Sequence, residues 1–150
     1  MIDLADILPS ALPAAVAWAE AEAARGIARG VPLTPAQADD ARKVGVAQPQ
    51  RVRVVTVERM PFPETPSLAA IARDTGLLSP GTIGLTLGHA VYVLRGQDTR
   101  RLLTHEFRHV HQYEAAGSIG AFLARYLYEI ATVGYHDAPL EADARQHEFD

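Results

Sequence analysis

The chain has 150 residues, no cysteine and a formal net charge of −4, with 48% hydrophobic and 21% charged residues. That length suits one domain over residues 1–150 with a real buried core, and the composition is that of a globular protein rather than a disordered one. The missing cysteine excludes disulfides, thiol nucleophiles, zinc ribbons and Cys-ligated clusters, and the acidic balance argues against a nucleic-acid partner.

The N-terminus, Met1-Ile2-Asp3-Leu4-Ala5-Asp6, is acidic where a signal peptide is basic. The uncharged stretch Ile7 to Ala19 carries Pro9 and Pro13 and is too short and broken to span a bilayer. The expectation is a cytoplasmic protein with no membrane span. Residues 12–29 are Ala-rich, with Leu12, Val16, Ala19, Ala23 and Ile27 at helical spacing; Gly26 and Gly30 weaken the end and Pro32 prevents continuation. A second helix is expected after Thr34, with Pro35 at its first position, to about Val44. Arg51 to Val57 alternates and is β-branched, which predicts a strand. A Pro-rich loop follows over Met60 to Pro66, then a short helix capped by Ser67 and ended by Gly76.

Two strands are expected over 82–87 and 90–94, joined by a Gly88-His89 turn in which His89 is solvated. Helices are predicted over 99–114, 118–133 and 139–149, with Ser118 and Asp137 as N-caps and Gly134 as a C-cap. Helices at both ends and a small sheet in the middle imply an α+β fold, residues 1–98 giving helices and sheet and 99–150 a helical part.

The chemistry lies in the last third. His105-Glu106-Phe107-Arg108-His109 is an H-E-x-x-H motif. On a helix the two histidines project from one face and can share a metal; neutral imidazoles suit Zn²⁺, and Glu106 can act as general base. With about 100° per residue, His105, His109 and Tyr113 share one face, Leu103, Phe107 and Val110 form a core stripe, and Arg101, Arg108 and Gln112 form a polar stripe. His111 points about 160° away from the histidine pair and cannot reach the same metal.

A catalytic zinc site needs a third protein ligand and an open position. The metzincin extension would require Gly at position 112 and His at 115, where this chain has Gln112 and Ala115, and deformylase-type sites need a Cys. Two carboxylates compete. Glu129 lies twenty residues after His109, a thermolysin-like spacing, but at the edge of its helix's apolar stripe. Glu141 falls in the first turn of the last helix among small residues that let a backbone approach closely, which favours it without excluding Glu129.

Arg101-Leu102-Leu103-Thr104 followed by the run from His105 to Tyr113, and then Gly134-Tyr135 with Pro139-Leu140-Glu141-Ala142 and Ala144, resembles the small bacterial gluzincin-like zinc metallopeptidases. The resemblance covers about residues 100–148. It implies a zincin-like fold in which a small mixed sheet with a β-hairpin packs against the active-site helix. It also implies His105, His109 and Glu141 as zinc ligands, Glu106 as base, and a peptide or protein substrate laid along the 82–94 hairpin. Thermolysin-type sites place an Asp four residues after the ligand Glu, whereas here position 145 is Arg and the nearest acid is Asp143. Tyr113, Tyr135 and His136 are candidate oxyanion partners, and Arg100 and Arg101 read as a solvated face. The expected function is zinc-dependent peptide hydrolysis; the alternative is a zinc-stabilised interaction module whose metal is closed off by a fourth protein ligand such as His136.

Overall fold

A computed structural model describes residues 4–150. Among these residues the fold is mixed α+β, with six α-helices and one four-stranded mixed sheet. None of the helices is long and apolar enough to cross a membrane.

Helix α1 spans Leu4–Arg29 and runs straight through Pro9 and Pro13, so it begins earlier than the Ala-rich window suggests. Both prolines are exposed and four residues apart on the solvent side, where water can serve the backbone carbonyls that lose a helical donor. Gly26 does not simply weaken the helix. A Cβ there would lie 2.8 Å from the Ala90 Cβ and 3.0 Å from the Tyr92 hydroxyl, so its missing side chain lets α1 settle onto the sheet.

Strand β1 (Val31–Pro32) leads into α2 (Pro35–Lys43), where Thr34 accepts from the Gln37 amide and Gln37 reaches back to the Thr34 amide. A 3₁₀ turn over Pro49–Arg51 shortens the expected strand, so β2 is Arg53–Val57. Helix α3 (Pro66–Asp74) starts after Thr65 rather than Ser67, because Pro66 takes the first helical position. Strands β3 (Gly84–Leu87) and β4 (Ala90–Leu94) form the predicted hairpin, β3 beginning two residues later than expected.

The sheet order is β1-β2-β4-β3, with β2 parallel to β4 and the other pairs antiparallel. Alternation sends successive side chains to opposite faces. Val55, Leu85, Leu87, Ala90 and Tyr92 join the core formed with α1 and the following helices. Val52, Val54, Val91 and Val93 meet Leu103, Phe107 and Val110 on the other side. These last three belong to α4 (Arg100–Ala116), and they are the core stripe read from the sequence. Thr99 caps α4, and Gly117, with φ 91°, ends it.

Ser118 caps α5 (Ile119–Val133). Helix α6 is Pro139–Gln146, preceded by Ala138 rather than capped by Asp137, and three residues shorter than expected. Its first turn is held by a side chain from another helix: Glu129 of α5 accepts a 2.9 Å hydrogen bond from the Leu140 amide.

Candidate metal centre

The site is built on the face of α4 next to its core stripe. Phe107 and Val110 are fully buried and fix the helix's rotation against the sheet. That rotation turns His105 and His109 toward α5 and α6 and Glu106 toward β3.

Two residues of the polar stripe form the seam that brings α6 in. Arg108 donates to both oxygens of Asp143, at 2.8 and 3.3 Å, and also to the Val44 carbonyl. The Gln112 amide nitrogen donates to the Leu140 carbonyl at 2.9 Å and to Asp143 at 2.8 Å, and Gln112 is buried. The polar stripe of α4 is therefore a packed hydrogen-bonded surface. Asp143 is its counterpart on α6, two residues after Glu141.

This docking lays the Glu141 carboxylate, 2% exposed, between the two histidines. His105 Nε2 is 3.3 Å from Glu141 Oε1, and His109 Nε2 is 2.9 Å from Glu141 Oε2. Tyr126 of α5 donates to Glu141 Oε2 at 2.7 Å. One ligand atom from each of His105, His109 and Glu141 lies within 4.8 Å of the others, and these three residues could hold a metal ion. Glu129 is not part of this cluster: one of its oxygens serves the Leu140 amide and the other pairs with Arg125.

The remaining nitrogens of both rings are also committed. His105 Nδ1–H donates to Glu148 at 2.8 Å, and His109 Nδ1–H donates to the Gln112 side-chain oxygen at 2.7 Å. The Gln112 orientation is fixed because its amide nitrogen faces two acceptors, Leu140 O and Asp143. Each Nδ1 must then carry a proton, and each Nε2 is left to face the cluster. Tying the second ring nitrogen in this way sets the tautomer of a metal-binding imidazole.

Burial alone would lower the His105 pKa, but the hydrogen bond to Glu141 and the charges of Glu106 and Glu141 raise it to about 9. His109 is raised as well, burial being outweighed by Glu141 and Glu106. Burial pushes the Glu141 carboxyl up, yet its bonds to the two histidines and Tyr126 hold it well below the usual carboxylate range.

Glu106 is buried beside the cluster, with Oε2 3.9 Å from His105 Nε2. Its other oxygen accepts a 2.8 Å hydrogen bond from Thr86 of β3, whose hydroxyl also lies 3.2 Å from the Glu106 carbonyl. Of the candidate oxyanion partners, Tyr113 is spent on the Thr86 carbonyl at 3.1 Å. His136 is exposed, and its carbonyl accepts from Arg145. Tyr135 is 38% exposed, and burial with the Glu141 charge pushes its hydroxyl pKa up.

His111 lies off the site, as its angle predicts, bonding the Gly45 carbonyl at 2.9 Å. His89 is not a solvated turn residue; its Nε2 meets Glu114 at 3.0 Å, and Glu114 also accepts from the Ala47 and Gln48 amides. Arg100 and Arg101 are exposed, as expected of a solvated face, and they also tether the last residues: Arg100 to Asp40 and the Asp150 carbonyl, Arg101 to Glu148 and Asp150. That tether, with the Phe149 amide on Thr104, carries Glu148 to His105.

Sequence reading did not identify Thr86, Tyr126 or Glu148 as partners of the site. Gln112, three residues after His109 on the same helix, is the one partner with a local signal, and it belongs to the polar stripe of the sequence reading. No family model matches the chain, and comparisons with curated proteins and with solved structures give no match.

Proposed function

We propose that this protein is a zinc-dependent, gluzincin-like peptidase of zincin-like fold, with His105, His109 and Glu141 as ligands and Glu106 as general base. The observation that carries the reading is a buried carboxylate, Glu106, beside a three-residue ligand set that has only three members among the described residues. Two imidazoles and one carboxylate suit zinc, and an open fourth position is what separates a catalytic site from a structural one. The 3.3 Å separation of His105 Nε2 and Glu141 Oε1 also fits two bonds of roughly 2.0–2.2 Å meeting near the tetrahedral angle.

Zinc, when bound, supplies Lewis acidity, polarising a carbonyl oxygen and making a water acidic near neutral pH. The chain's own groups do the rest. Thr86 pins one oxygen of Glu106 and leaves the other facing the cluster. From there Glu106 takes the proton of the attacking water and passes it to the leaving amine. Gln112 and Glu148 hold the rings, and Tyr126 holds Glu141. Tyr135, exposed at the edge of the cluster, is the side chain available to the carbonyl oxygen as charge develops there.

A peptide substrate has a platform in β3, which lies at the edge of the sheet. The Leu94 amide bonds the Ile83 carbonyl, so alternation turns the peptide groups of Gly84 and Thr86 away from β4; the Thr86 carbonyl takes the Tyr113 hydroxyl, which leaves the groups around Gly84 to meet an added strand. An extended chain added there would pass Glu106. The test is metal content together with peptide cleavage. One zinc per chain is expected, lost in the His105→Ala, His109→Ala double mutant. Glu106→Gln should keep the zinc and lose about 10²–10⁴-fold in rate. Stoichiometric zinc without cleavage of any peptide would favour the interaction-module alternative.

A further inference from the structure

An apolar cavity of about 90 Å³ adjoins the cluster. Glu106, His109 and Glu141 are among its lining residues. Its walls are Trp18 of α1, Ile71 of α3, Leu77 in the turn after α3, and Leu123 and Leu127 of α5. Trp18, Ile71 and Leu77 are half-buried, so the cavity is within reach of solvent.

Resting on the peptidase reading, we propose that this cavity is the specificity pocket of the site, and that it takes a medium-sized aliphatic side chain, such as Leu or Met, from the residue adjoining the bond to be cut. Three features carry this. The carboxylates of Glu106 and Glu141 line the same cavity, so a side chain seated in it brings its own backbone close to Glu106. Most of its lining offers dispersion contacts, its acidic and basic side chains are two carboxylates and a histidine, and its other polar side chains are the hydroxyls of Thr86, Tyr113, Tyr126 and Tyr135. An acidic side chain would meet those carboxylates, and a basic one would lose its hydration against Trp18 and the leucines. The volume lies between the roughly 10–15 Å³ needed by one water and the roughly 150 Å³ of a cavity that takes benzene, which matches a four-carbon side chain better than an aromatic ring.

Trp18 is the single tryptophan of the chain, so its fluorescence reports occupancy directly. The experiment uses zinc-loaded protein and hexapeptides Ala-Ala-Gly-X-Ala-Ala with X as Leu, Ala, Phe or Asp. Cleavage beside Leu is expected to exceed that beside Ala by about tenfold or more, the scale of a few methylenes in an apolar pocket. Phe is expected to fall below Leu, and Asp to be the poorest. In Glu106→Gln protein the Leu peptide should shift Trp18 emission and the Asp peptide should not. Ala15→Phe, which fills the cavity from α1, should remove the Leu-over-Ala preference.

Cleavage indifferent to X would overturn the pocket and leave the peptidase reading standing. No cleavage, with a Trp18 response to Leu but not Asp, would support the pocket and remove the peptidase reading. No cleavage and no Trp18 response would overturn both.

Discussion

Metal binding at the His105/His109/Glu141 cluster should compete directly with protons. In the metal-free protein the atoms that pair with Glu141 are His105 Nε2 and His109 Nε2, at 3.3 and 2.9 Å. Their Nδ1 atoms already carry protons toward Glu148 and Gln112, so a proton on Nε2 makes each ring an imidazolium. A metal needs that same nitrogen unprotonated. His105 is raised from 6.5 to about 9. At pH 7 the neutral ring is then present in about one molecule in a hundred, against about half at pH 9, and apparent zinc affinity should be about 50-fold weaker than at pH 9 on this histidine alone. His109 is shifted in the same direction, so the slope of log affinity against pH should lie between about one and two.

The sign for stability runs the other way. A raised histidine pKa stabilises the metal-free fold fully below pH 6.5, and that contribution fades as pH rises through about 9. The metal-free protein should therefore lose thermal stability between pH 6.5 and 9, while the zinc form, whose rings are neutral, should not lose it by this route. Chelator competition from pH 6 to 9, corrected for the chelator's own protonation, measures the slope. Calorimetry in buffers of different ionisation enthalpy counts the released protons. An affinity flat across this range, with no proton released at pH 7, would refute the reasoning, because the Glu141 pairs would then not involve imidazolium.

The two competing carboxylates should separate cleanly. Glu141→Ala is expected to weaken zinc by orders of magnitude, whereas Glu129→Ala removes a cap on α6 and should cost about 1 kcal/mol, read as a Tm drop of roughly 3 °C with zinc affinity changed little. The reverse ranking in chelator titrations would reassign the ligand. Thr86→Val deletes the donor to Glu106 and should lower kcat with little change in KM or zinc content, and Thr86→Ser should restore it; a kcat unchanged in Thr86→Val would free Glu106 of this support. Gly84→Ala places a Cβ 3.0 Å from Leu102 Cδ1 and 3.2 Å from the Glu106 carboxyl, and is expected to depress the same rate by displacing the base. A peptidase assay showing wild-type kcat in Gly84→Ala would mean the strand yields instead.

Local periodicity in the sequence determined most of the elements and the chemistry of one helix face. A spacing of four residues puts His105 and His109 on the same side of α4 whatever surrounds it, and the apolar spacing of Leu103, Phe107 and Val110 dictates which side turns inward. Two short strand-like runs, 82–87 and 90–94, on either side of Gly88-His89 marked the hairpin, since a two-residue turn with glycine joins neighbouring strands. Chain separation hid the rest. Nothing local says that Arg108 and Gln112 form a buried seam, because their partner Asp143 lies more than thirty residues on, and a polar stripe reads as solvated until a second helix covers it.

Tertiary structure alone decided that Glu129 caps α6 while Glu141 meets the histidines, that Glu148 crosses back to His105 and that Thr86 reaches Glu106 from the edge strand. Each is one hydrogen bond between segments whose relative placement is set by how whole faces pack. The same holds for the path of α1 through Pro9 and Pro13: propensity weighs against a helix there, but Leu8 is buried in the core, Leu12 and Val16 pack partly buried against it, and the prolines themselves face water.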